Sequence, residues 1–488
     1  MRAQLKFSVI LASFAPCLPG RPMRLASEFA MFDTRLLRPA TAALLTLLAH
    51  GGHAEPWRVQ DKWDLPNWLT VSGDHQLRYE WMDNTFRTVD PGSDNLLLSR
   101  ILIAAEARLS ESFRVGAELQ DARTWGAESG TPLNNTFVNA LEPLQLYAGF
   151  TARDLLSEGD QIDLRVGRFT MQMGSNRFVA RHIFRNTLQS HTGANVIWSQ
   201  SDGPRLQFFL TNPVIRRPAD SDGLRDNDVK LDQDSRTLFW GAHLDQFEFG
   251  GHEAAVYVFG IDDSDSSGRP TLNRNYVTTG FRLLGEQNDW YWELEGAYQF
   301  GSVRDSVSAV DVNDLDHRAW LLHADIGRRL NGAWNPVLEL RFDYASGDDR
   351  PGDDSNERFD TLFGPLRFDY GPTSIYNLVR RENSNTTGLY LTVTPRERTA
   401  WMTGYRAAWL ASDRDRLRGS GLRDPSGQSG DFLGHQIETR FRWEFIPDSV
   451  RVEFGGALLF KGEFLEDAPA APAADNTVYL YTQVTTLF

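Results

Sequence analysis

The chain has 488 residues, 12% aromatic residues and a single cysteine, a length that would normally indicate two or three soluble domains. No linker rich in proline or serine divides it, and its body contains no run of 18 or more apolar residues. A helical membrane protein is therefore excluded. A transmembrane β-barrel is not excluded by the absence of a long apolar run, because only every second residue of its strands faces lipid.

The N-terminal residues 1–54 have the order of a signal peptide with an upstream extension. From Met31, a basic stretch precedes an apolar run (Ala40 to Ala49) and small residues that end at Ala54. This order predicts cleavage after Ala54, and the alternative is a helix packed on the body. We therefore expect residues 1–54 to be removed and residues 55–488 to form one barrel domain.

The mature chain would be acidic and free of cysteine. Removing residues 1–54 takes away six Lys/Arg and two Asp/Glu and leaves 44 basic and 63 acidic residues, a net charge of −19. Without cysteine there is neither a disulfide framework nor a thiolate metal site. The acidity argues against nucleic acid as a partner.

In the body of the chain, apolar and polar residues alternate up to the last residue. Apolar side chains occupy the even positions of 338–344 and charged ones the odd positions, and the same pattern recurs in 437–445 and 450–454. An apolar face opposite a charged face suits lipid outside and water inside. In chain order the alternation predicts about 18 strands, near 70–82, 95–109, 112–122, 143–152, 160–170, 194–200, 204–211, 236–248, 251–262, 275–286, 288–301, 316–330, 334–346, 387–395, 398–411, 434–447, 449–462 and 477–488.

Connection lengths alternate as well. Short turns such as 285–289, 395–398 and 446–449 follow every second strand, and long polar loops follow the others, the longest near 346–387. Short periplasmic turns and long extracellular loops are typical of bacterial outer-membrane barrels. The predicted fold class is all-β, a transmembrane antiparallel β-barrel of about 18 strands.

The C-terminal segment supports closure of this barrel. Apolar residues and threonines alternate from Val478 to a terminal Phe488, which resembles the assembly signal of outer-membrane proteins. Because no strand edge can stay unpaired in lipid, we expect the last strand to pair with the first.

Arginine dominates the basic residues, with 41 arginines and three lysines after residue 54. A guanidinium group binds carboxylates through two parallel hydrogen bonds, which suits an anion pathway. The alternative is that these arginines pair with acids in the same strands and brace the wall. Alternation places nine arginines toward the lumen: Arg78, Arg100, Arg108, Arg114, Arg165, Arg341, Arg440, Arg442 and Arg451. The acids on the same faces are Glu80, Glu106, Glu118, Glu339, Asp343, Glu438, Glu444 and Glu453.

A denser basic segment, GSNRFVARHIFRNT, occupies residues 174–187 in a long outer loop. Its arginines, Arg177, Arg181 and Arg185, are spaced by four. That spacing would line one side of a short helix. Alternatively, the loop folds into the pore, or it is a solvated loop surface.

Two segments resemble a known family. LRVGRFTMQMGSNRFVARHIFRNTLQSHTGANV is similar to a segment of alginate-export barrels, in which a strand ending in GR leads to a glycine-containing loop that carries arginines. ERFDTLFGPLRFDYGPTSIYNL (Glu357–Leu378) resembles a second family segment. The resemblance implies an 18-stranded outer-membrane barrel that passively exports the anionic polysaccharide alginate. It also implies that Arg177, Arg181 and Arg185 belong to the arginine-rich pore.

The predicted function is an outer-membrane channel for passive passage of an anionic polysaccharide. The alternative is a general or anion-preferring uptake porin for small solutes, and an outer-membrane enzyme or adhesin comes third. No G-x-S-x-G, H-E-x-x-H or P-loop motif occurs, so we expect neither catalysis nor a cofactor. Expected partners are an anionic polysaccharide or small anionic solutes, outer-membrane lipid and a periplasmic export complex.

Two acidic runs lie in outer loops, at 262–265 (DDSD) and 347–357 (GDDRPGDDSNE). The first begins like a calcium-binding loop but has Arg274 where a bidentate glutamate is needed, so it is no EF-hand. We predict no metal site and interpret both runs as solvated loops, with loose divalent-cation binding left open.

We predict that the mature N-terminus lies at or near Glu55, because a basic stretch, an apolar run and small residues precede it in that order. N-terminal sequencing of protein taken from outer membranes checks this. Recovery of mature protein that retains residues 35–49 would show that the segment is not a cleaved signal peptide.

Overall fold

A computed structural model describes residues 57–88, 92–128, 130–181, 184–265, 270–308, 310–472 and 475–488. In these residues 18 long antiparallel strands pair in chain order, and the last also pairs with the first. The predicted closed barrel of about 18 strands is therefore confirmed. The predicted signal peptide and extension, residues 1–54, lie outside the described residues.

The barrel strands contain between 9 and 15 residues, enough to cross a bilayer at a tilt. Their bounds are β1 Leu69–Asp83, β2 Asp94–Arg108, β3 Phe113–Trp125, β4 Asn139–Arg153, β5 Asp160–Phe169, β6 His191–Gln200, β7 Arg205–Ile215, β8 Leu238–Phe249, β9 His252–Asp262, β10 Asn275–Gln287, β11 Trp290–Val303, β12 Leu315–Arg329, β13 Val337–Ala345, β14 Ser384–Val393, β15 Thr399–Trp409, β16 Phe432–Ile446, β17 Val450–Lys461 and β18 Thr477–Leu487. Each overlaps a strand predicted from the sequence.

Short and long connections alternate around the ring as predicted. Residues 288–289 join β10 to β11 at the periplasmic end, whereas residues 346–383 join β13 to β14 at the extracellular end. The described part of the chain also contains four short helices, α1 Val59–Lys62, α2 Ser221–Asp226, α3 Arg367–Tyr370 and α4 Glu463–Asp467, and two strands of two residues each, Gln233–Asp234 and Ser355–Asn356. Among the described residues, no helix has the length and apolar character needed to span a membrane.

The two faces of the wall have opposite chemistry, as β1 illustrates. Leu77 and Tyr79 lie on the outer face and are 43% and 37% exposed, while Arg78 and Glu80, on the inner face, are fully buried. A one-residue shift in register would place these charges in lipid, so the alternation fixes the register strongly. The barrel therefore has an apolar outside and a charged inside.

The seam of the barrel ends at the last residue. The N–H of Gly73 donates to the carbonyl of Phe488 at 2.9 Å, and the N–H of Phe488 donates to the carbonyl of Gly73 at 3.0 Å. The Phe488 ring also lies 6.3 Å from the ring of Trp57, centroid to centroid. Phe488 thus extends the ladder between β1 and β18 by one residue pair.

Deleting Phe488 should lower the amount of folded protein in the outer membrane severalfold, because two closing hydrogen bonds and an aromatic contact are lost at the seam. The control deletes Gly352, an exposed residue of the loop after β13. Heat-modified gel mobility of outer-membrane fractions measures the folded fraction. Equal amounts of folded protein in the two deletions would contradict the seam argument.

Candidate functional site: two loops and their arginines inside the barrel

Two long loops leave the wall and meet each other. The early lumen loop follows β5 (residues 170–190), and the late lumen loop follows β13 (residues 346–383). The N–H of Phe363 donates to the carbonyl of Phe178 at 2.8 Å. The ring of Phe178 packs against the rings of Tyr257 on β9 and Phe359. We call the two loops together the lumen plug.

The plug contacts strands on different sides of the ring. The N–H of Ile375 donates to Glu80 on β1 at 3.2 Å, and the hydroxyl of Tyr376 donates to Gln436 on β16 at 2.7 Å. Arg177 pairs with Glu293 on β11. Because β1 and β11 are far apart around the ring, one connected body reaches both only from inside. The plug therefore lies in the lumen.

Backbone requirements explain the path of these loops. Gly174 has a φ of 49° and Asn176 a φ of 66°, so the early lumen loop turns where a helix would need negative φ values. The helix considered for Arg177, Arg181 and Arg185 does not form in the described residues 170–181 and 184–190. Where the loops cross, a Cβ on Gly364 would lie 1.7 Å from the carbonyl oxygen of Arg177, so only glycine fits.

Arg177 lies at the junction of the two loops and the wall. Its Nε lies 3.2 Å from Oδ2 of Asp369 in the late lumen loop, and it also pairs with Glu293 and Glu295. Arg381 pairs with Asp369 as well and donates to the carbonyl of Arg177 at 3.0 Å. Burial opposes ionisation of Asp369, but Arg177 and Arg381 hold the pKa of its carboxyl well below its ordinary value.

Most of the other predicted arginines pair with acids of the wall. Arg108 does so at the periplasmic rim, where its side chain is 68% exposed. The pairs are Arg78 with Glu80, Arg100 with Asp74, Arg108 with Glu106, Arg114 with Glu106 and Asp163, Arg165 with Asp163, Arg181 with Glu118, Arg341 with Glu339, Arg442 with Glu453 and Arg451 with Glu444. The geometry of this set suits wall bracing.

Arg185 differs from that set. Within the described part of the chain, its side chain forms no hydrogen bond or ion pair, although its carbonyl accepts from Arg100 at 2.8 Å. Burial and the like charges of Arg216, Arg380 and Arg381 lower the pKa of Arg185 to about 9. The guanidinium is still charged at neutral pH, so this part of the lumen carries excess positive charge.

A cavity of about 150 Å³ lies beside Arg185, between the two loops. We call it the arginine cavity, and it is lined by Gln172, Asn176, Ala180, Arg181, Phe184, Arg185, Pro365, Leu366, Arg367 and Thr373. Three of these residues are arginines and none is acidic. The guanidinium carbon of Arg367 lies 3.4 Å from the centroid of the Phe184 ring, which fixes the direction of that positive charge.

A second cavity, of about 190 Å³, shares Arg367 with the first. We call it the tyrosine cavity, and its lining includes Tyr291, Glu339, Arg341, Arg367, Tyr390, Glu438, Arg440 and Tyr481. Arg440 forms no hydrogen bond or ion pair among the described residues, because the nearby Glu453 already pairs with Arg367 and Arg442. Aromatic rings beside charged groups suit a sugar acid.

Several residues of this site escaped sequence reasoning. Arg367, Asp369 and Arg381 lie in the longest loop, where no alternation assigns a direction; the family-like segment Glu357–Leu378 was the available signal for the first two. His323 showed no partner in the sequence. In the structure its Nδ1 lies 2.6 Å from Asp343, and it forms two groups with acids close enough to hold a metal. Three of those acids, Glu293, Asp343 and Asp369, also pair with arginines of the plug and wall.

With this geometry in view, comparisons with known proteins identify the family. A family model described as alginate export matches residues 67–478. The chain belongs to the alginate export family. The resemblance of its two segments to that family is confirmed, and this alginate export family protein is an outer-membrane channel of a bacterial envelope. None of the curated proteins matches the chain.

Solved porins share the fold of this alginate export family protein. OccK2 (OpdF) of Pseudomonas aeruginosa has a TM-score of 0.54 at 12% identity, over 86% of this chain and 97% of that one. The same porin in complex with glucuronate has the same TM-score and identity. A BenF-like porin from Pseudomonas fluorescens Pf-5 has a TM-score of 0.54 at 10% identity, over 86% and 99% of the chains. At these identities the likeness shows the fold alone.

We expect Arg114→Gln to lower the free energy of unfolding of this alginate export family protein by about 2 kcal/mol, because it removes the short contacts to the partly buried Asp163 and leaves Arg165, at 3.6 Å, to offset that charge. Arg440→Gln should cost less than about 1 kcal/mol, because Arg440 pairs with nothing in the described wall. Urea unfolding of both variants in lipid vesicles measures this. Equal costs would mean that Arg440 also has a structural partner.

Proposed function

We propose that the protein is a passive channel for an anionic polysaccharide of the alginate type. The single observation that carries this proposal is Arg185, a charged guanidinium without an acid partner in the described residues, beside a cavity whose lining has three arginines and no acid. A cargo carboxylate supplies the partner that the protein does not. The family match over residues 67–478 supports the same cargo class.

The two cavities suggest how a polymer would advance. A polyuronate carries one carboxylate on each sugar, and the cavities share Arg367. Adjacent carboxylates could therefore occupy neighbouring sites, one near Arg185 and the other near Arg440. Conduction requires binding that admits the cargo and is weak enough to release it. Glu339 and Glu438 in the tyrosine cavity moderate its positive charge.

The second candidate is an anion-preferring uptake porin for small solutes, and a specific observation favours it. The two cavities beside the lumen plug have volumes of about 150 and 190 Å³, below the roughly 300–1,000 Å³ of typical drug-sized ligand sites. A small sugar acid fits this constriction with the plug in place. A polymer needs the late lumen loop to move aside, which would break the pair between Arg177 and Asp369.

Arg185→Gln tests the site with one charge removed and no ion pair broken. We expect it to lower anion preference and to weaken block by an oligouronate by about three- to tenfold, the loss of one charge-assisted contact. Arg153→Gln is the matched control, because Arg153 is exposed at the periplasmic end of β4 and, like Arg185, forms no ion pair among the described residues. Single-channel recording at low salt measures both variants, since salt screens exposed charges.

The outcomes separate the candidates. If Arg185→Gln matches wild type in reversal potential and block, the arginine cavity lies outside the pathway and the proposal fails. If the effect is present for monomeric uronate, but oligouronates are excluded at every voltage, the small-solute porin is favoured. Transit of long oligouronates, seen as block that is relieved at higher voltage, supports the polysaccharide.

A further inference from the structure

The outer end of the late lumen loop holds another group of charged side chains. Asp348 lies near the start of this loop, Glu357 and Arg358 follow, and Glu382 lies near its end. Asp415 belongs to the loop after β15, and both of its oxygens accept from Arg358, at 2.5 and 2.8 Å. None of these residues lines the arginine cavity or the tyrosine cavity.

Three carboxylate oxygens in this group lack a hydrogen-bond partner among the described residues, and one of them, Oε1 of Glu382, lies 3.7 Å from Arg416. Oδ1 of Asp348 and Oε2 of Glu357 are both buried and unpartnered, and Asp348 is only 1% exposed. The hydroxyl of Ser346 donates to the carbonyl of Glu357 at 2.6 Å, so the backbone brings Asp348 and Glu357 close together, and the charge of Glu357 contributes to a raised pKa of Asp348. Unpartnered buried polar atoms are rare in folded proteins. Two facing carboxylates repel each other unless a proton or a cation lies between them.

The neighbouring arginines do not balance the acids. Arg358 lies 3.7 Å from Oδ2 of Asp348, but Asp415 holds it through two shorter contacts, and Glu382 lies 3.9 Å away. The next positive charges are Arg418 and Arg416, which pair with Glu382 at 2.8 and 3.7 Å and whose side chains are 52% and 39% exposed. The buried part of the cluster thus has more acidic groups than basic ones, since Asp348, Glu382 and Asp415 surround the single buried base Arg358.

We propose that Asp348 and Glu357 bind a divalent cation, with Ca²⁺ as the best fit. Ca²⁺ takes oxygen ligands in flexible geometry, whereas Mg²⁺ demands near-ideal octahedral geometry and Zn²⁺ prefers nitrogen and sulfur. Backbone carbonyls or water complete the six to eight ligands when the ion is bound. The bound ion would link Asp348, near the start of the late lumen loop, to Glu357 of the same loop. It would thereby stabilise the outer end of the lumen plug.

A shared proton is the competing explanation, and pH separates the two. Burial and the neighbouring Asp415 raise the pKa of Asp348 to about 7. Without an ion, the folded protein then binds more protons than the unfolded chain between about pH 4 and 7, so stability falls as the pH rises through that window. Of the other charged groups, Arg358 faces Asp348 directly, Glu382 and Asp305 lie 3.9 and 3.8 Å from Arg358, and Arg416 and Arg418 pair with Glu382.

Calcium titration at pH 8 tests the site in purified protein that is free of lipopolysaccharide and held in detergent. Calorimetry should find one Ca²⁺ site with a Kd on the order of 10⁻⁴–10⁻³ M, the range of extracellular calcium modules. Asp348→Asn and Glu357→Gln should each weaken binding by about tenfold or more. Asp353→Asn removes an exposed acid from the same acidic run and should leave binding unchanged.

A second readout uses the wild-type protein and does not depend on the variants folding. Amide hydrogen exchange in the largely exposed segment 349–354, which follows Asp348, should slow severalfold on adding Ca²⁺ and recover with chelator. If Ca²⁺ changes neither heat nor exchange at pH 8, while acidification to pH 6 raises the protection factor of this segment in wild type but not in Asp348→Asn, the pair shares a proton and the calcium site does not exist.

Discussion

The hydrocarbon of a bilayer offers the main chain no hydrogen-bond partner, so every strand in the wall needs a neighbour on each side. This constraint closes the 18 strands into a ring and takes the seam to the last residue, where Gly73 and Phe488 exchange hydrogen bonds. It also forces alternation, since each strand faces lipid on one side only. A ring of this size leaves room inside for an aqueous channel, and here two outer loops enter that room and contact the wall.

A charged interior has to be neutralised locally, and this requirement shapes the lumen. Guanidinium groups from one strand pair with carboxylates from the same or a neighbouring strand, as Arg114 does with Asp163, because a buried unpaired charge costs several kcal/mol. In two places the positive and negative charges do not balance. Positive charge is in excess around Arg185, between the two loops, although the whole chain carries a net charge of −15. Negative charge is in excess around Asp348, at the outer end of the plug.

The sequence predicted the wall well and the plug poorly, for a physical reason. Alternation is a local signal, so each strand, including the C-terminal strand that ends near Phe488, can be read from its own residues. The direction of an arginine within a strand follows from the same period. Arg177 is different: its partner Asp369 lies 192 residues away in a loop without period, and only the folded barrel brings them together. The spacing of Arg177, Arg181 and Arg185 suggested a helix, but the backbone of Phe178 and Val179 pairs with Phe363 of the late lumen loop instead.

Single-channel recording of the wild-type protein in a salt gradient tests the central claim most directly, namely that positive charge inside the plug selects anionic cargo. At low salt the account predicts a reversal potential on the anion-selective side. It also predicts block by an oligouronate at concentrations well below those needed for a neutral oligosaccharide of the same length. A reversal potential near zero or on the cation-selective side, together with equal block by the two sugars, would contradict it.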